Sequence, residues 1–257
     1  MSNSITVDIV TITRQIDNIL FNTLNNVSQQ TYELINHVII YRPCTQTDIK
    51  QLENFTHTKN LLFFPQVGVG IASAFNNGIN HTQGDLVLFL NAGDTLVAKD
   101  VVEKVVASYL EEKWLWATGE TIAVSKNRYL KNYRPQHQNW TDDLFWYGNP
   151  VCHQSTFYSR SLIELLGLYN ESLSMNMDYE YNIRANLISP PKLLYFPIAY
   201  YDTTGVSSIR VFQQFNTQRE IRDRYFKLSK FNQLRVDTYG LFKSILRLAM
   251  LPAKLWL

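Results

Sequence analysis

Along its first hundred residues the chain alternates between two hydrophobic periods. Residues 6–12 are rich in β-branched apolar side chains, which is typical of a buried strand, and apolar residues then recur at helical spacing from residue 16 to residue 27. Further strands are predicted at residues 38–41, 60–64 and 85–90, and helices at residues 48–55 and 71–79. This alternation predicts βαβ units with right-handed crossovers, and therefore an α/β fold with a mostly parallel, Rossmann-like sheet flanked by helices.

Two later helices carry start and stop signals. Asp100 and Glu103 predict a capping box in front of an apolar stripe, and Ser161 and Glu164 predict a second box in a helix that ends at Gly167. Residues 114–150 between them are rich in aromatic side chains and predict mixed strand and loop. No linker precedes about residue 205, so the sheet and this aromatic segment are expected to share one core.

The composition is that of a globular protein. The hydrophobic fraction is 46% and the charged fraction 18%, which excludes the disordered and collagen-like classes. Cys44 and Cys152 lie more than a hundred positions apart without metal-ligand spacing, so neither a disulfide framework nor a zinc site is expected. The N-terminus lacks the pattern of a signal peptide and no apolar run reaches spanning length, so a cytoplasmic protein is predicted.

The charge is unevenly distributed. From Arg210 to the C-terminus the balance is +7, whereas residues 1–209 carry −5. We therefore predict a catalytic domain at residues 1–209, with halves 1–95 and 96–209, followed by a basic helical extension at residues 210–257. A nucleic-acid partner is not expected, because the body is negative and has no nucleic-acid-binding motif.

The first candidate for chemistry follows the fourth predicted strand. Ligands of open α/β sheets bind beyond the carboxyl ends of the strands. Here the strand continues into Asn91-Ala-Gly93-Asp94, which places a carboxylate on a tight turn at the edge of the sheet. Such a carboxylate suits a hard cation that bridges phosphates. A simple turn aspartate is the alternative interpretation.

The second candidate is Asp178, which lies between a methionine and a tyrosine where a helix begins. Partial burial there would raise its pKa toward neutrality, as a general base requires. The alternative is a charge that complements the N-terminal end of the helix dipole. Glu180 is less suited to the same role, because two positions along a helix point it away from Asp178.

Seven segments, taken in chain order, share the motifs of one enzyme family. They are Thr11-Ile-Thr-Arg14-Gln15, residues 26–32, residues 69–79, residues 84–94, His153-Gln-Ser-Thr-Phe157, Asp178-Tyr-Glu-Tyr181 and Thr204-Gly-Val-Ser207. Together they resemble the family 2 glycosyltransferases of the GT-A fold, particularly those that build bacterial capsule, exopolysaccharide and lipopolysaccharide repeat units. The resemblance covers about residues 5–208.

The resemblance implies transfer of a sugar from a nucleotide diphosphate to an acceptor hydroxyl of a glycan or lipid-linked glycan, with inversion. It implies that Asp94 holds Mg²⁺ or Mn²⁺ against the diphosphate, and that Asp178 takes the acceptor proton. It places His153, Gln154 and Glu120 on the acceptor side. The donor side implied in this way comprises Thr11, Thr13, Arg14, Tyr41, Ser73, Asn76, Asn91 and Asp94.

Three positions depart from the family pattern. The loop from Tyr41 to Asp48 replaces an acidic stretch that helps to hold the base and ribose, Ser73 stands in place of an aspartate, and Asn91 stands in place of the first acidic residue of the metal motif. Tyr41 would stack on the base instead. The departures motivate an alternative function, namely an inactive GT-A domain that binds sugar or supports a glycan-building complex.

The C-terminal segment predicts an amphipathic basic helix. Apolar residues from Leu241 to Ala249 fall on one face and basic residues on another, Pro252 ends the helix, and Trp256 follows. This pattern is typical of a segment that lies in a membrane surface, here the inner face of the membrane. The alternative is a helix packed against the catalytic domain or against a second copy of the chain in a homodimer.

Overall fold

The computed structural model describes residues 4–55, 60–125, 128–133, 140–202 and 211–249. These residues form an α/β structure in which helices flank a nine-stranded sheet. The strands are β1 (Val7–Thr13), β2 (Ile35–Tyr41), β3 (Leu61–Pro65), β4 (Leu86–Phe89), β5 (Thr95–Leu96), β6 (Trp116–Ser125), β7 (Arg128–Tyr133), β8 (Thr156–Ser159) and β9 (Lys192–Asp202). The helices are α1 (Asn18–Ser28), α2 (Gln46–Asn54), α3 (Ile71–Asn80), α4 (Val101–Glu111), α5 (Arg160–Leu166), α6 (Met177–Ile188), α7 (Val211–Tyr225) and α8 (Lys230–Ala249), with 3-10 turns at Asp142–Tyr147 and His153–Ser155.

The first half of the sheet is parallel and has the order β3-β2-β1-β4. Its strands are the four predicted from the apolar runs, and α1, α2 and α3 are the predicted crossover helices. All four residues of β4 are buried. A strand that is covered on both faces must be apolar throughout, which explains the continuous run that predicted it.

The second half of the sheet is mixed. β8 pairs antiparallel with both β4 and β6, and β6 pairs parallel with β9. In addition, β5 pairs antiparallel with β9, and β7 pairs antiparallel with β6. The described strands thus make four parallel and four antiparallel pairs. The predicted parallel arrangement applies to the first half, and the second half is built largely from segments whose hydrophobic pattern did not separate strand from loop.

Both predicted capping boxes are wrong in detail. The Asp100 side chain makes no capping hydrogen bond and instead forms an ion pair with Lys104 at 2.8 Å. The cap of α5 is Ser159, whose hydroxyl accepts from the backbone N–H of Leu162, because the helix begins earlier than the pattern predicted. The predicted end of α5 at Gly167 is confirmed, with φ +70° at that glycine.

The two C-terminal helices pack onto the rest of the chain. Ile221 of α7 is buried in the core cluster that also contains residues of the sheet. The side chain of Asn176, just before α6, donates to the carbonyl of Gln214 in α7 at 2.9 Å. Arg222 is 3% exposed and lies 2.9 Å from the carboxylate of Asp237 in α8. Helix α7 is therefore part of the same core as the sheet.

No helix within the described ranges is long and apolar enough to cross a bilayer. The predicted motif at residues 204–207 lies outside the described residues, as do Pro252 and Trp256.

Candidate active site

The predicted turn after β4 is present. Gly93 has φ +97°, a conformation that a residue with a side chain adopts only with strain. The backbone N–H of Asp94 donates to the carbonyl of Asn91 at 3.0 Å and closes the turn. Asp94 is 4% exposed, so its carboxylate lies largely out of bulk water.

Helix α1 holds this turn from the side. The hydroxyl of Thr23 donates to the carbonyl of Asp94 at 2.9 Å and accepts from the N–H of Gly93 at 3.0 Å. The side-chain amide of Asn26 makes two bonds with the backbone of Leu96, at 2.7 and 3.0 Å. Sequence reasoning missed Thr23, although its helical position on the buried face of α1 was a usable signal.

The predicted base, Asp178, lies in the first turn of α6 and keeps a quarter of its side-chain surface exposed. Two donor groups converge on its Oδ2. Nδ2 of Asn149 donates to it at 3.0 Å, and Nδ1 of His153 lies 3.6 Å away. The sequence did not point to Asn149, because it belongs to no recognised motif.

The expected raising of the Asp178 pKa is wrong. Burial by itself would raise the pKa of this carboxyl, but the hydrogen bond and charge of His153, with backbone N–H groups at Asp178 and Tyr179, hold it below its ordinary value. Asp178 is therefore a carboxylate throughout the neutral range. It is ready to accept a proton, although it is a weaker base than the sequence predicted.

His153 also connects Asp178 to the turn after β4. Its Nε2 lies 3.0 Å from Nδ2 of Asn91, while Nδ1 of the same ring faces Asp178. Oδ1 of Asn91 is buried and has no hydrogen-bond partner among the described residues. The structure thus brings the predicted residues Asn91, His153 and Asp178 into one contiguous polar chain.

The other two predicted acceptor-side residues flank this chain. Gln154 follows His153 in the same 3-10 turn and is 4% exposed. Glu120 in β6 is half-buried, and its carbonyl accepts from the hydroxyl of Ser155 at 3.1 Å. This bond fastens the 3-10 turn to β6.

Two residues predicted to bind donor lie at the end of β1. Thr11 is fully buried, and its hydroxyl donates to the carbonyl of Leu90 at 2.7 Å and lies 2.8 Å from Nε2 of His37. Its hydroxyl is thus committed inside the sheet. Thr13 is 9% exposed and bonds to the backbone of Gln15, which shapes the loop after the strand.

Two more predicted donor residues hold α3 in place. The hydroxyl of Ser73 donates to the carbonyl of Val67 at 2.7 Å, which closes the loop between β3 and α3. Asn76 is 2% exposed and makes three bonds to the segment after α5, two with the backbone of Tyr169 and one with Glu171. Both side chains are committed within the protein.

Tyr41, the last residue of β2, and Arg14, the first residue after β1, have opposite surroundings. Tyr41 is 7% exposed and packs in a hydrophobic cluster with Leu20 and Leu52, and burial raises its pKa. The prediction that Tyr41 stacks on a base does not fit this position, because its ring is used in the core. Arg14 is exposed, so its guanidinium is accessible to a charged ligand.

The residues fit the divalent ion that the resemblance implies. Within the described part of the chain, no three His, Cys, Asp or Glu side chains form a metal cluster. A Mg²⁺ ion needs no such cluster when one carboxylate and substrate phosphates share its coordination. Asp94 supplies that carboxylate, and Oδ1 of Asn91 in the same turn is a buried acceptor without a hydrogen-bond partner among the described residues.

A comparison with protein families identifies this arrangement. Residues 8–165, which include the turn after β4 and the His153 segment, match the family model for glycosyl transferase family 2. The chain belongs to this family.

Curated relatives of the chain are named as glycosyltransferases. An uncharacterized glycosyltransferase of Mycobacterium tuberculosis is 30% identical over 164 residues, which cover 61% of this chain and 61% of that protein. A PGL/p-HBAD biosynthesis glycosyltransferase of Mycobacterium bovis is 29% identical over 57% of this chain and 56% of its own length. The matched part thus spans about three fifths of these relatives.

Solved glycosyltransferases share the fold. S. aureus TarS in complex with UDP-GlcNAc superposes with a TM-score of 0.71 at 15% identity, over 92% of this chain and 71% of that one. The mannosyltransferase PcManGT of Pyrobaculum calidifontis, solved with GDP-Man and Mn²⁺, gives a TM-score of 0.65 at 16% identity, over 98% and 76%. At these identities the likeness establishes the GT-A fold, as the sequence predicted.

Proposed function

We propose that the protein is an inverting glycosyltransferase that moves a sugar from a nucleotide diphosphate to an acceptor hydroxyl. The observation that carries the proposal is the polar chain from Asn91 through His153 to Asp178. This chain connects the turn that contains Asp94, whose carboxylate suits the donor side, to Asp178, whose carboxylate suits a general base. A domain retained only for sugar binding has no use for this connection, so the active enzyme is favoured over the inactive one.

Asp178 acts as the general base in this proposal. Its low pKa keeps it ionised at neutral pH, so it takes the proton from the acceptor hydroxyl as that oxygen forms a bond to the anomeric carbon. The bond from that carbon to the diphosphate breaks on the opposite face, which inverts the configuration. Gln154 and Glu120 flank the acceptor, and the partial exposure of Asp178 admits it.

Asp94 would hold Mg²⁺ or Mn²⁺ on the donor side. When bound, the ion would supply Lewis-acid stabilisation of the charge that develops on the leaving diphosphate. The turn around Gly93, clamped by Thr23, keeps the Asp94 carboxylate in a fixed position for this task. Asn91, Thr13 and the exposed Arg14 complete the proposed donor side. Thr11, Tyr41, Ser73 and Asn76 support the site from within the fold.

The proposed setting is the synthesis of a bacterial surface glycan at the inner face of the membrane. The outer face of α8 supports this setting because it exposes large apolar side chains next to basic residues. The apolar residues are Phe231, Leu234, Leu241, Phe242, Ile245 and Leu246, and the basic ones are Lys230, Arg235 and Lys243. Such a face fits an anionic lipid surface, and a lipid-linked acceptor would be met there.

The test begins with donor binding. The protein is heated with UDP-, GDP-, CMP- and dTDP-sugars in Mn²⁺, and one of them should raise the melting temperature, because a ligand that binds only the native state stabilises it. With that donor, Asp178→Asn should lower turnover by roughly 10²–10⁴ while donor affinity changes little. A chain that binds no nucleotide-sugar, or an Asp178→Asn variant with normal turnover, would contradict the proposal.

A further inference from the structure

We propose that His153 is a positioning residue that aligns the base with the donor turn, donating from Nδ1 to Asp178 while Asn91 holds its Nε2. This inference rests on the proposed function and assigns His153 a task within it. His153 would act through Asp178 and not by touching the sugar.

The direction of the hydrogen bonds follows from the two neighbours of the ring. Nδ2 of Asn91 is a donor, so in the neutral ring the His153 Nε2 that it meets at 3.0 Å is the acceptor and the ring proton is on Nδ1. That N–H then faces Oδ2 of Asp178 at 3.6 Å. The opposite tautomer would turn a lone pair toward a carboxylate and is disfavoured by charge repulsion. The edge contact with Phe75, at 5.6 Å between ring centroids, further limits rotation of the imidazole.

A second, independent chain of donors fixes the other contact to Oδ2. The hydroxyl of Tyr158 donates to Oδ1 of Asn182 at 2.6 Å, and Nδ2 of Asn182 donates to Oδ1 of Asn149 at 3.1 Å. Nδ2 of Asn149 therefore has to point to Asp178, which it meets at 3.0 Å. This chain is buried on the side of the core, so it anchors Asp178 to the scaffold whatever is bound.

His153 differs from Asn149 because it is tied to the donor turn. Its ring is 15% exposed and leans on Asn91, three residues before Asp94. The 3.6 Å separation from Asp178 leaves this contact longer than a good hydrogen bond, and such contacts in catalytic sites commonly shorten when substrate binds. A shift of the turn on donor binding would therefore move the imidazole of His153, and the imidazole would in turn move the carboxylate of Asp178.

Two substitutions of His153 test the contacts of its Nδ1 and Nε2 separately. The side-chain amide of His153→Asn can occupy the place of Nδ1 and keep a donor toward Asp178, whereas that of His153→Gln reaches the place of Nε2 and keeps only the contact with Asn91. We expect His153→Gln to lower kcat by about tenfold or more and His153→Asn to lower it much less, with the KM for donor unchanged in both. His81→Gln, at an exposed histidine after α3, is the matched control.

A second readout needs no substrate. The carboxyl resonance of Asp178, assigned by its loss in Asp178→Asn, is titrated by ¹³C NMR. His153 lowers the pKa of Asp178 through its charge and through its hydrogen bond, so the titration midpoint should rise in both variants, and it should rise further in His153→Gln, which also lacks the donor toward Asp178. The other titratable groups that interact with the carboxylate, Tyr158 and Tyr169, have pKa values raised well above 10 by burial and stay neutral.

The outcomes distinguish this inference from the proposed function. Equal losses of kcat in the two variants with equal midpoints, or a raised donor KM, would overturn the positioning role even if the wild-type protein transfers sugar. A midpoint that rises further in His153→Gln than in His153→Asn would support the alignment, even if the wild-type protein transferred no sugar and the proposed function failed. A melting temperature close to that of His81→Gln shows that neither variant acts by unfolding.

Discussion

The side chain of Asn76 makes two hydrogen bonds with the backbone of Tyr169. Its Nδ2 donates to the carbonyl at 3.0 Å, and its Oδ1 accepts from the N–H at 2.8 Å. This pairing fastens α3 to the segment after α5. Asn76→Ala leaves the peptide polar groups of Tyr169 buried without these partners, so we expect a loss of about 1–3 kcal/mol in the free energy of unfolding. Urea denaturation measures it.

The same variant tests whether Asn76 binds donor. Its KM for donor should equal that of the wild type, because every polar atom of the side chain is used within the fold. Asn80→Ala, at an exposed position on the same helix, should change neither stability nor KM. A large increase in donor KM with unchanged stability would return Asn76 to the donor site.

Asp94→Ala should abolish Mn²⁺-dependent stabilisation by nucleotide-sugar and leave the secondary structure intact. The carboxylate lies on a turn at the edge of the sheet, where it can meet the ion. The backbone hydrogen bonds that shape this turn use only main-chain atoms of Asp94, so the turn should persist without the side chain. Circular dichroism and a thermal shift with and without EDTA measure both effects. Asp100→Ala, on an exposed ion pair, is the control. Donor binding that survives both EDTA and Asp94→Ala would exclude the metal role.

Stability should fall in mild acid because of His37. Burial lowers the pKa of this histidine to about 3, compared with about 6.5 in an unfolded chain. Between those values the unfolded state binds a proton that the folded state does not, so the free energy of unfolding decreases as pH falls through that window. From pH 7 to pH 5 the contribution is about 2 kcal/mol.

His37→Gln should remove this contribution, since glutamine can donate to Thr11 without titrating. Chemical denaturation of the variant and the wild type at pH 7 and pH 5 compares the slopes. His81→Gln is the comparison variant, because it replaces an exposed histidine in the same way. Equal slopes for wild type and His37→Gln would mean that His37 does not remain neutral when the protein is folded.

Vesicle binding tests the exposed face of α8. Leu234→Glu and Phe242→Glu should each release the protein from vesicles of anionic phospholipid, because they place a negative charge on the exposed apolar face. Salt should also weaken binding, because each basic residue adds on the order of 1 kcal/mol at such a surface. Point substitutions are preferable to deletion, since Val236 and Ser244 of the same helix are buried. Leu165→Glu on α5 is the control for an exposed leucine elsewhere. Unchanged sedimentation with vesicles would exclude this surface.

The hydrophobic pattern predicted the parallel half of the sheet well, because each of its strands is a continuous apolar run closed by a polar turn. The turn from Asn91 to Asp94 was predictable for the same reason, since a glycine after a buried strand marks a sharp change of direction. The second half depends on pairing between distant segments, such as β6 with β9, and local periodicity contains no information about that.

The donor side was predicted less well, for a physical reason. A polar residue in a motif that looks like a ligand contact can equally be bonded to the backbone. The hydroxyl of Ser73 donates to the carbonyl of Val67. The hydroxyl of Thr11 donates to the carbonyl of Leu90, which lies 79 positions away in the chain. Only the folded structure reveals such partners, as it does for Asn149 beside Asp178.

The strand order has a consequence for how the molecule is made and how it can be divided. β4 lies inside the finished sheet, yet the edge it presents to β8 has no partner until Thr156–Ser159 have been synthesised. An unpaired apolar edge is a site for intermolecular pairing, so fragments that end before residue 159 should aggregate. β5 pairs only with β9 among the described strands, so the segment that follows the Asp94 turn, which Asn26 of α1 holds on one side, gains its strand partner only when Ala199 and Tyr200 have been synthesised. The donor half therefore cannot be isolated by cutting after residue 95, and its geometry is completed by the half that follows it.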